Sequence, residues 1–418
     1  MGNCQKRRVV VTGVGVAAPN GIGKAEFWQA NIAGKSGVGI IDGIDTAALD
    51  VKIAGQIKNF DPLKYLPADM VKRTDRFVHL GLAAAIMAVA DSGLDLEKEN
   101  QQTAGVVIGS GLGGLLYHEE QIMALYAKGI NRLHPLSVPR ITPNAVASHI
   151  AVRFGLRGPN MVISTACASG THAIGEAFRK IQNREMDICL TGGVEAPLTP
   201  ATFGAYAALR VLSKRNAAPQ EASRPFDAQR DGFVLAEGAG ILILEDFERA
   251  QRRNARIYAE IAGYAANSGA YHIVMPMPDG TDAAEVMAAA VRDAGREPRD
   301  IDYINAHGTS TEANDRAETR AIKIVFGEHA RHVPVSSTKS MIGHTIGAAG
   351  GIEAVVCALA LENQVIPPTI NYRHQDPECD LDYVPNEARA AKLKNVLSNS
   401  FGFGSCNVCI LLTKEGLP

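Results

Sequence analysis

Ile163-Ser164-Thr165-Ala166-Cys167-Ala168-Ser169-Gly170-Thr171-His172-Ala173 carries the decisive junction of this chain. An apolar β-branched run ends at its start, small residues crowd the turn, and a helical pattern continues to Lys180. Cys167 therefore falls between a strand and a helix, with its sulfur near a helix N-terminus. There the positive end of the helix dipole is expected to favour thiolate over thiol. Small flanking residues leave room for a carbonyl and expose backbone N–H groups that can hold an oxyanion. Taken alone, the segment fits a buried structural cysteine equally, the common fate of a free Cys.

The same alternation recurs outward from this junction. Apolar β-branched runs lie at 8–16, 105–108, 161–163, 188–190 and 241–244, and Ala-rich helical stretches at 79–91 and 173–181 separate them. A second series begins at 257–261 and continues through a helical 283–294, a strand at 303–305 and a closing strand at 408–412. Such alternation predicts an α/β fold with buried sheets. At 418 residues the chain is long for one simple core. It divides into 1–255 and 256–418 with no Pro/Ser-rich linker, which predicts two packed halves.

Composition excludes several function classes. Forty-two Lys+Arg against 44 Asp+Glu give a net charge of -2, without the strongly basic balance that nucleic-acid binding requires. Seven scattered cysteines, an odd number, fit a reducing cytoplasm better than a secreted disulfide framework. Cys406 and Cys409 form a lone CxxC in an apolar run; on a strand they point to opposite faces, so neither zinc nor a redox pair is expected. No apolar stretch is read as a membrane span, and the N-terminus lacks the apolar core of a signal peptide. Met1-Gly2-Asn3-Cys4-Gln5-Lys6 resembles a myristoylation signal but has Lys6 where Ser or Thr is required. A cytoplasmic protein with no membrane or nucleic-acid partner is expected. Gly109-Ser110-Gly111-Leu112-Gly113-Gly114 satisfies the dinucleotide glycine pattern, yet no acidic residue follows near position 130. The partial pattern at Gly13-Val14-Gly15 has Asp42 at a suitable distance, and an ordinary βα turn explains it as well.

Two further loops carry polar chemistry. Asn305-Ala306-His307-Gly308-Thr309-Ser310-Thr311 follows a predicted strand and sets a histidine among small polar residues. Lys339-Ser340-Met341-Ile342-Gly343-His344, inside a Ser- and Gly-rich stretch, adds a lysine and a second histidine. Each histidine alone also fits the role of satisfying loop carbonyls.

Together the Thr-Ala-Cys-Ala-Ser-Gly, Asn-Ala-His-Gly-Thr-Ser-Thr and Lys-Ser-Met-Ile-Gly-His blocks occur in order, followed by Asn399-Ser400-Phe401-Gly402-Phe403-Gly404. With them the chain resembles the elongating β-ketoacyl-acyl-carrier-protein synthases, the synthase II group and its polyketide relatives, from Arg8 to near Leu412. The resemblance implies a thiolase-like fold of five layers, α/β/α/β/α, built from two duplicated halves. It implies decarboxylative condensation of a Cys-bound acyl chain with malonyl-carrier protein. Cys167 matches the acyl-accepting nucleophile, His307 and His344 the decarboxylating pair, and Lys339 the lysine that orients one histidine. Phe403 matches the gatekeeping phenylalanine, its N–H joining that of Cys167 in an oxyanion hole. Thr309 and Thr311 match the threonines that hold the phosphopantetheine arm, and Leu112 and Tyr206 the far end of the acyl pocket. Lys72, Arg73, Arg132 and Arg210 match a basic rim for the acidic carrier protein; ordinary solvated charge is the alternative. Asn305, Glu353, Ser398 and Asn399 match positions that surround a structural cation in some relatives. No cofactor is expected, because the carrier brings the arm. A homodimer, or a heterodimer with a homologous ketosynthase-like subunit, is expected from the loop that holds Leu112.

The chain departs from this pattern near the gate. Most fatty-acid members read Gly-Phe-Gly-Gly-Thr-Asn where Gly402-Phe403-Gly404-Ser405-Cys406-Asn407 stands, and Gly269 and Val274 replace a usual Asp and Thr. Glu195-Ala196-Pro197-Leu198-Thr199-Pro200, Leu235-Ala236-Glu237-Gly238-Ala239 and Glu312-Ala313-Asn314-Asp315-Arg316 lean toward polyketide ketosynthase α-subunits. A CoA-dependent thiolase with Cys406 as second cysteine, an α-subunit active only with a chain-length-factor-like partner, and a non-catalytic partner subunit are the competing readings. A Cys/His hydrolase fits less, since nothing supplies a water-directing base.

Overall fold

A computed structural model describes residues 6–417. Met1 to Gln5, which include Cys4 and most of the myristoylation-like start, lie outside them. Its principal elements are β1 (Val9–Ala18), α1 (Arg76–Ser92), β2 (Ala104–Gly109), β3 (Asn160–Ile163), α2 (Ser169–Gln182), β4 (Ile188–Glu195) and β5 (Gly238–Asp246). There follow β6 (Ala259–Ser268), α3 (Thr281–Asp293), β7 (Tyr303–Asn305), α4 (Glu312–Phe326), β8 (Val335–Ser336), α5 (Ala349–Asn363), β9 (Asn395–Gly402) and β10 (Cys406–Thr413).

The first five strands lie side by side as β1-β5-β4-β2-β3 and the second five as β6-β10-β9-β7-β8. In both arrays the first two pairings are antiparallel and the last two parallel. The chain thus uses one topology twice, and a short antiparallel pairing of Val9–Val11 with Ala259–Ile261 joins the arrays.

Helices α2 and α5 pack against strands of both arrays and form the middle layer. α1 with helix Ala145–Phe154 covers the outer face of the first array, and α3 with α4 covers that of the second. The layers are α/β/α/β/α. α5 occupies the middle and is buried on every side: each residue from Ala349 to Leu361 is buried, and all but Glu353 in that run are apolar or glycine. Small residues permit the approach, since a Cβ on Gly350 would lie 1.9 Å from Thr171 Oγ1 and one on Gly351 2.2 Å from Gly193 N. Contrary to the expectation from sequence, one stretch has the length and composition of a membrane span. Ile346–Asn363 is long and apolar enough to cross a membrane by length and composition, but 89% of it is buried inside the fold. Cys406 and Cys409 lie on β10, half-buried and buried respectively. No group of three or more potential metal-ligating His, Cys, Asp or Glu occurs among the described residues.

Candidate active site

Cys167 sits where the sequence places it, in a tight turn (Ala166–Ala168) between β3 and α2. Ala166 adopts a left-handed φ of 49° that redirects the chain. The Ser169 hydroxyl donates to Ala166 O at 2.6 Å and accepts the Thr165 N–H at 2.9 Å, pinning the turn. Gly402 closes on it from β9: a Cβ there would lie 2.7 Å from Thr165 O. This approach brings the Phe403 N–H to the Cys167 thiol.

The electrostatics differ from the sequence expectation. Burial pushes the Cys167 thiol up to about 12, against lowering by the Lys339 charge and by the Phe403 and Cys167 amides; Glu195 raises it further. Cys167 is only 5% exposed, so lost hydration outweighs the favourable helix end. The resting nucleophile is a thiol.

His307 leaves the end of β7 on a loop held by a carboxylate from α4. Glu318 accepts the N–H groups of His307 and Gly308, both at 2.8 Å, and the Asn399 amide at 3.1 Å. Lys339 Nζ lies 3.4 Å from His307 Nδ1 and pairs with Glu353 of α5, all three side chains being buried. An ammonium beside Nδ1 leaves that nitrogen as acceptor, so the ring proton is assigned to Nε2. His344 is anchored by its N–H to Val234 O at 2.7 Å. Its ring meets His307 edge-on at 5.4 Å and Phe233 at 5.2 Å. Burial first, and then the Lys339 charge, hold both histidines well below their ordinary value. Both rings are neutral hydrogen-bond donors at neutral pH.

Cys167, His307, His344, Phe401 and Phe403 line one cleft of about 790 Å³, with Thr309 and Thr311 on its wall. The two threonine hydroxyls are 2.9 Å apart, and Thr311 also caps α4. Leu112 and Tyr206 are not among the residues lining this cleft. Tyr206 packs edge-on against Phe233 at 5.9 Å in the apolar cluster that contains Cys167. The Leu112 N–H donates to Glu195. Lys72, Arg73, Arg132 and Arg210 are exposed, and Arg210 adjoins Val211, which lines the cleft. Cys406 does not line the cleft.

The predicted cation positions fit a hard ion. Asn305 Oδ1 and Glu353 Oε2 are buried without hydrogen-bond partners, and Ser398 Oγ has only the weak Cys357 thiol beside it. Asn399 Oδ1 accepts from Cys409 at 3.2 Å. Oxygen donors of this kind suit a hard cation rather than a soft metal.

Two carboxylates escaped the sequence reading as site residues. Glu318 carries no local signal, because the loop N–H groups of His307 and Gly308 and the side-chain amide of Asn399, 81 residues away, meet it only in the fold. Glu195 drew notice only as part of a block. It accepts the Ser110 hydroxyl at 3.2 Å and the N–H groups of Gly111 (2.6 Å), Leu112 (3.2 Å) and Gly347 (3.2 Å). The glycine-rich loop after β2 therefore holds the chain's own carboxylate, not a dinucleotide phosphate. Burial pushes both acids up to about 7.

Residues 6–250 match the family model "Beta-ketoacyl synthase, N-terminal domain", and residues 258–373 match "Beta-ketoacyl synthase, C-terminal domain". The chain is 46% identical over 414 residues to a 3-oxoacyl-[acyl-carrier-protein] synthase 2 of Synechocystis sp., covering 99% of this chain and all of the relative. It is 45% identical over 410 residues to the protein of the same name from Coxiella burnetii, covering 98% and 99%. Among solved structures, a type II PKS ketosynthase in complex with its acyl-carrier protein superposes with a TM-score of 0.91 at 38% identity, covering 98% and 99%. The ishigamide ketosynthase/chain length factor superposes with a TM-score of 0.90 at 34% identity, covering 98% of this chain and 100% of that one.

Proposed function

The chain belongs to the beta-ketoacyl synthase family, and on that premise we propose how its own residues carry out the condensation. It is a condensing acyltransferase that joins a Cys-bound acyl chain to malonyl-carrier protein with loss of carbon dioxide. One observation carries the assignment of roles: a thiol, two neutral imidazoles and the Phe403 amide converge on one buried cleft.

Cys167 Sγ attacks the acyl thioester carbonyl, with the Cys167 and Phe403 amides stabilising the oxyanion. The thiol proton goes to the departing carrier sulfur, so the exchange is nearly isoenergetic. A malonyl thioester then enters. Its C–C bond to the carboxylate breaks, carbon dioxide leaves, and the electron pair moves toward the thioester oxygen. The His307 Nε2–H and the neutral His344 ring stabilise this enolate as donors, so no strong base is needed. The enolate carbon attacks the acyl group on Cys167, the C–S bond breaks, and the thiolate takes one proton from solvent. Asn305, Glu353, Ser398 and Asn399 would hold a structural cation, which would supply fixed positive charge to their buried oxygens.

An acyl carrier protein is the partner, its acidic surface meeting Lys72, Arg73, Arg132 and Arg210, and its arm passing Thr309 and Thr311. Leu112 and Tyr206 cap the acyl chain. The protein needs no cofactor of its own and works in the cytoplasm as a dimer. The outer edge of β3 supports the dimer, being unpaired among the described residues. Helix Leu115–Lys128 adds Ile122, Met123 and Tyr126 exposed to solvent, the last at 86%. The second subunit is a copy of this chain or a chain-length-factor-like homologue, as named for one of the solved relatives. A thiolase is disfavoured, because Cys167 is the only cysteine lining the cleft among the described residues. A non-catalytic subunit would not need that thiol.

The test mixes the purified protein alone with malonyl-carrier protein and a series of acyl-carrier proteins, and follows β-ketoacyl product by mass spectrometry. Product that disappears in Cys167→Ala is the expected result, and the preferred chain length separates fatty-acid from polyketide synthesis. Acylation of Cys167 without product would assign the chain to a heterodimer.

A further inference from the structure

Among the described residues, Asp282 is the only carboxylate lining the cleft, and no lysine or arginine lines it. It stands in the first turn of α3 and is only 9% exposed. Its Oδ1 accepts the Ala283 N–H at 2.8 Å and its Oδ2 accepts the Asn407 amide at 3.0 Å. No ion pair reaches it among the described residues. A carboxylate presents about four lone-pair sites, so acceptor capacity remains beyond these two bonds.

The space for this group is made by an absent side chain. A Cβ on Gly269 would lie 2.1 Å from Asp282 Oδ2, and the nearest three atoms it would meet all belong to Asp282. Asn267 holds the Asp282 main-chain carbonyl at 2.8 Å, and the Gly269 N–H donates to Ser405 O at 2.9 Å. The carboxylate is thus fixed between the segment around Gly269 and the segment that follows Phe403. One of the gate-side departures in the sequence, Gly269, has a physical partner in Asp282.

A pantetheine thioester entering this cleft brings secondary amides, whose N–H groups lose water and need acceptors. Most of the cleft wall is apolar or carries neutral amides and hydroxyls. A carboxylate is the strongest acceptor available, because its hydrogen bonds are charge-assisted. We propose that Asp282 is a binding determinant for the pantetheine arm, accepting an arm amide N–H, and that glycine at 269 is required to keep its carboxylate in place. The inference rests on the condensing reading above.

The experiment compares the wild-type protein, Asp282→Asn and Gly269→Ala on malonyl-pantetheine and on malonyl ethyl thioester, which has no amide, with carbon dioxide release as the readout. Asn at 282 can still accept from Asn407 but loses charge and one acceptor; Ala at 269 displaces the carboxylate without removing it. Each variant is expected to raise KM for malonyl-pantetheine about tenfold, the loss of one charge-assisted hydrogen bond, with kcat within about twofold. With the ethyl thioester both variants should match the wild type. Equal losses on both thioesters, or no loss on either, overturn the inference while leaving the condensing reading intact. A wild-type protein inactive on both would sink the condensing reading and this inference together.

Discussion

Lys339→Met removes the ammonium that lies between His307 and Glu353, and the structure separates its two consequences. For catalysis, the ammonium sits 3.4 Å from His307 Nδ1 and keeps the ring proton on Nε2. Losing one preorganised donor to a developing oxyanion costs about 10²–10³ in rate, and that is the expected fall in malonyl decarboxylation. For stability, the side chains of Lys339 and Glu353 are each 3% exposed, so the variant strands a buried carboxylate. Removing one partner of such a pair costs about 3–5 kcal/mol. Burial already raises the Glu353 acid, with Lys339 opposing it, so the raised value climbs further in the variant. A raised acid means that the folded state binds the proton more tightly than the unfolded one. Stability should therefore fall as pH rises above the ordinary carboxyl value, and the variant should be firmer near pH 5 than near pH 8. Lys339→Met/Glu353→Gln removes the stranded charge. It should regain most of the stability in denaturant melts and none of the decarboxylation measured by carbon dioxide release. Decarboxylation restored to within tenfold of wild type in the double variant would refute the tautomer argument.

Four further outcomes follow from the same geometry. Because His307 and His344 are held well below 6.5, decarboxylation should stay flat through pH 6–7 and fall only at lower pH; a midpoint near 6.5 would contradict neutral donors in a dry site. With its thiol pushed up to about 12, Cys167 should react with iodoacetamide ever faster past pH 9, and a plateau below pH 8 would contradict the burial argument. Gly351→Ala would set a Cβ 2.2 Å from Gly193 N and 2.4 Å from Gly240 O, backbone atoms that cannot move aside; the expected loss is about 3 kcal/mol, read by denaturant unfolding. Charge reversal at Lys72 and Arg73 should raise KM for the carrier protein and weaken the dependence of that KM on salt, with kcat on small thioesters unchanged.

The parts of the site that depend on neighbours in sequence were legible without coordinates. A β-branched run, a turn of small residues and a helical pattern place Cys167 at a junction, and Tyr303–Asn305 followed by a polar loop places His307 at a strand end. Strands such as β1 and helices such as α1 were found within a few residues of their ends, because period and composition are local properties. Other elements carry no such period. β8 has two residues, too few to alternate, and β9 buries Ser398, Asn399 and Ser400, so a polar run hides a central strand. α5 is buried on every side and therefore shows no amphipathic face.

The sequence by itself thus determined the α/β class, the family resemblance and the identities of the thiol, the two histidines and the lysine, since each lies in a short run whose chemistry is local. The tertiary structure decided their charge states and their support. Desolvation depends on which elements close over a group, so Cys167 rests as a thiol where the helix end alone argued for a thiolate. Glu195, Glu318 and Asp282 became meaningful only when elements distant in sequence brought backbone N–H groups to the first, Asn399 to the second and Asn407 to the third. The order shared by the two five-stranded arrays was likewise set by long-range pairing, which no local pattern encodes.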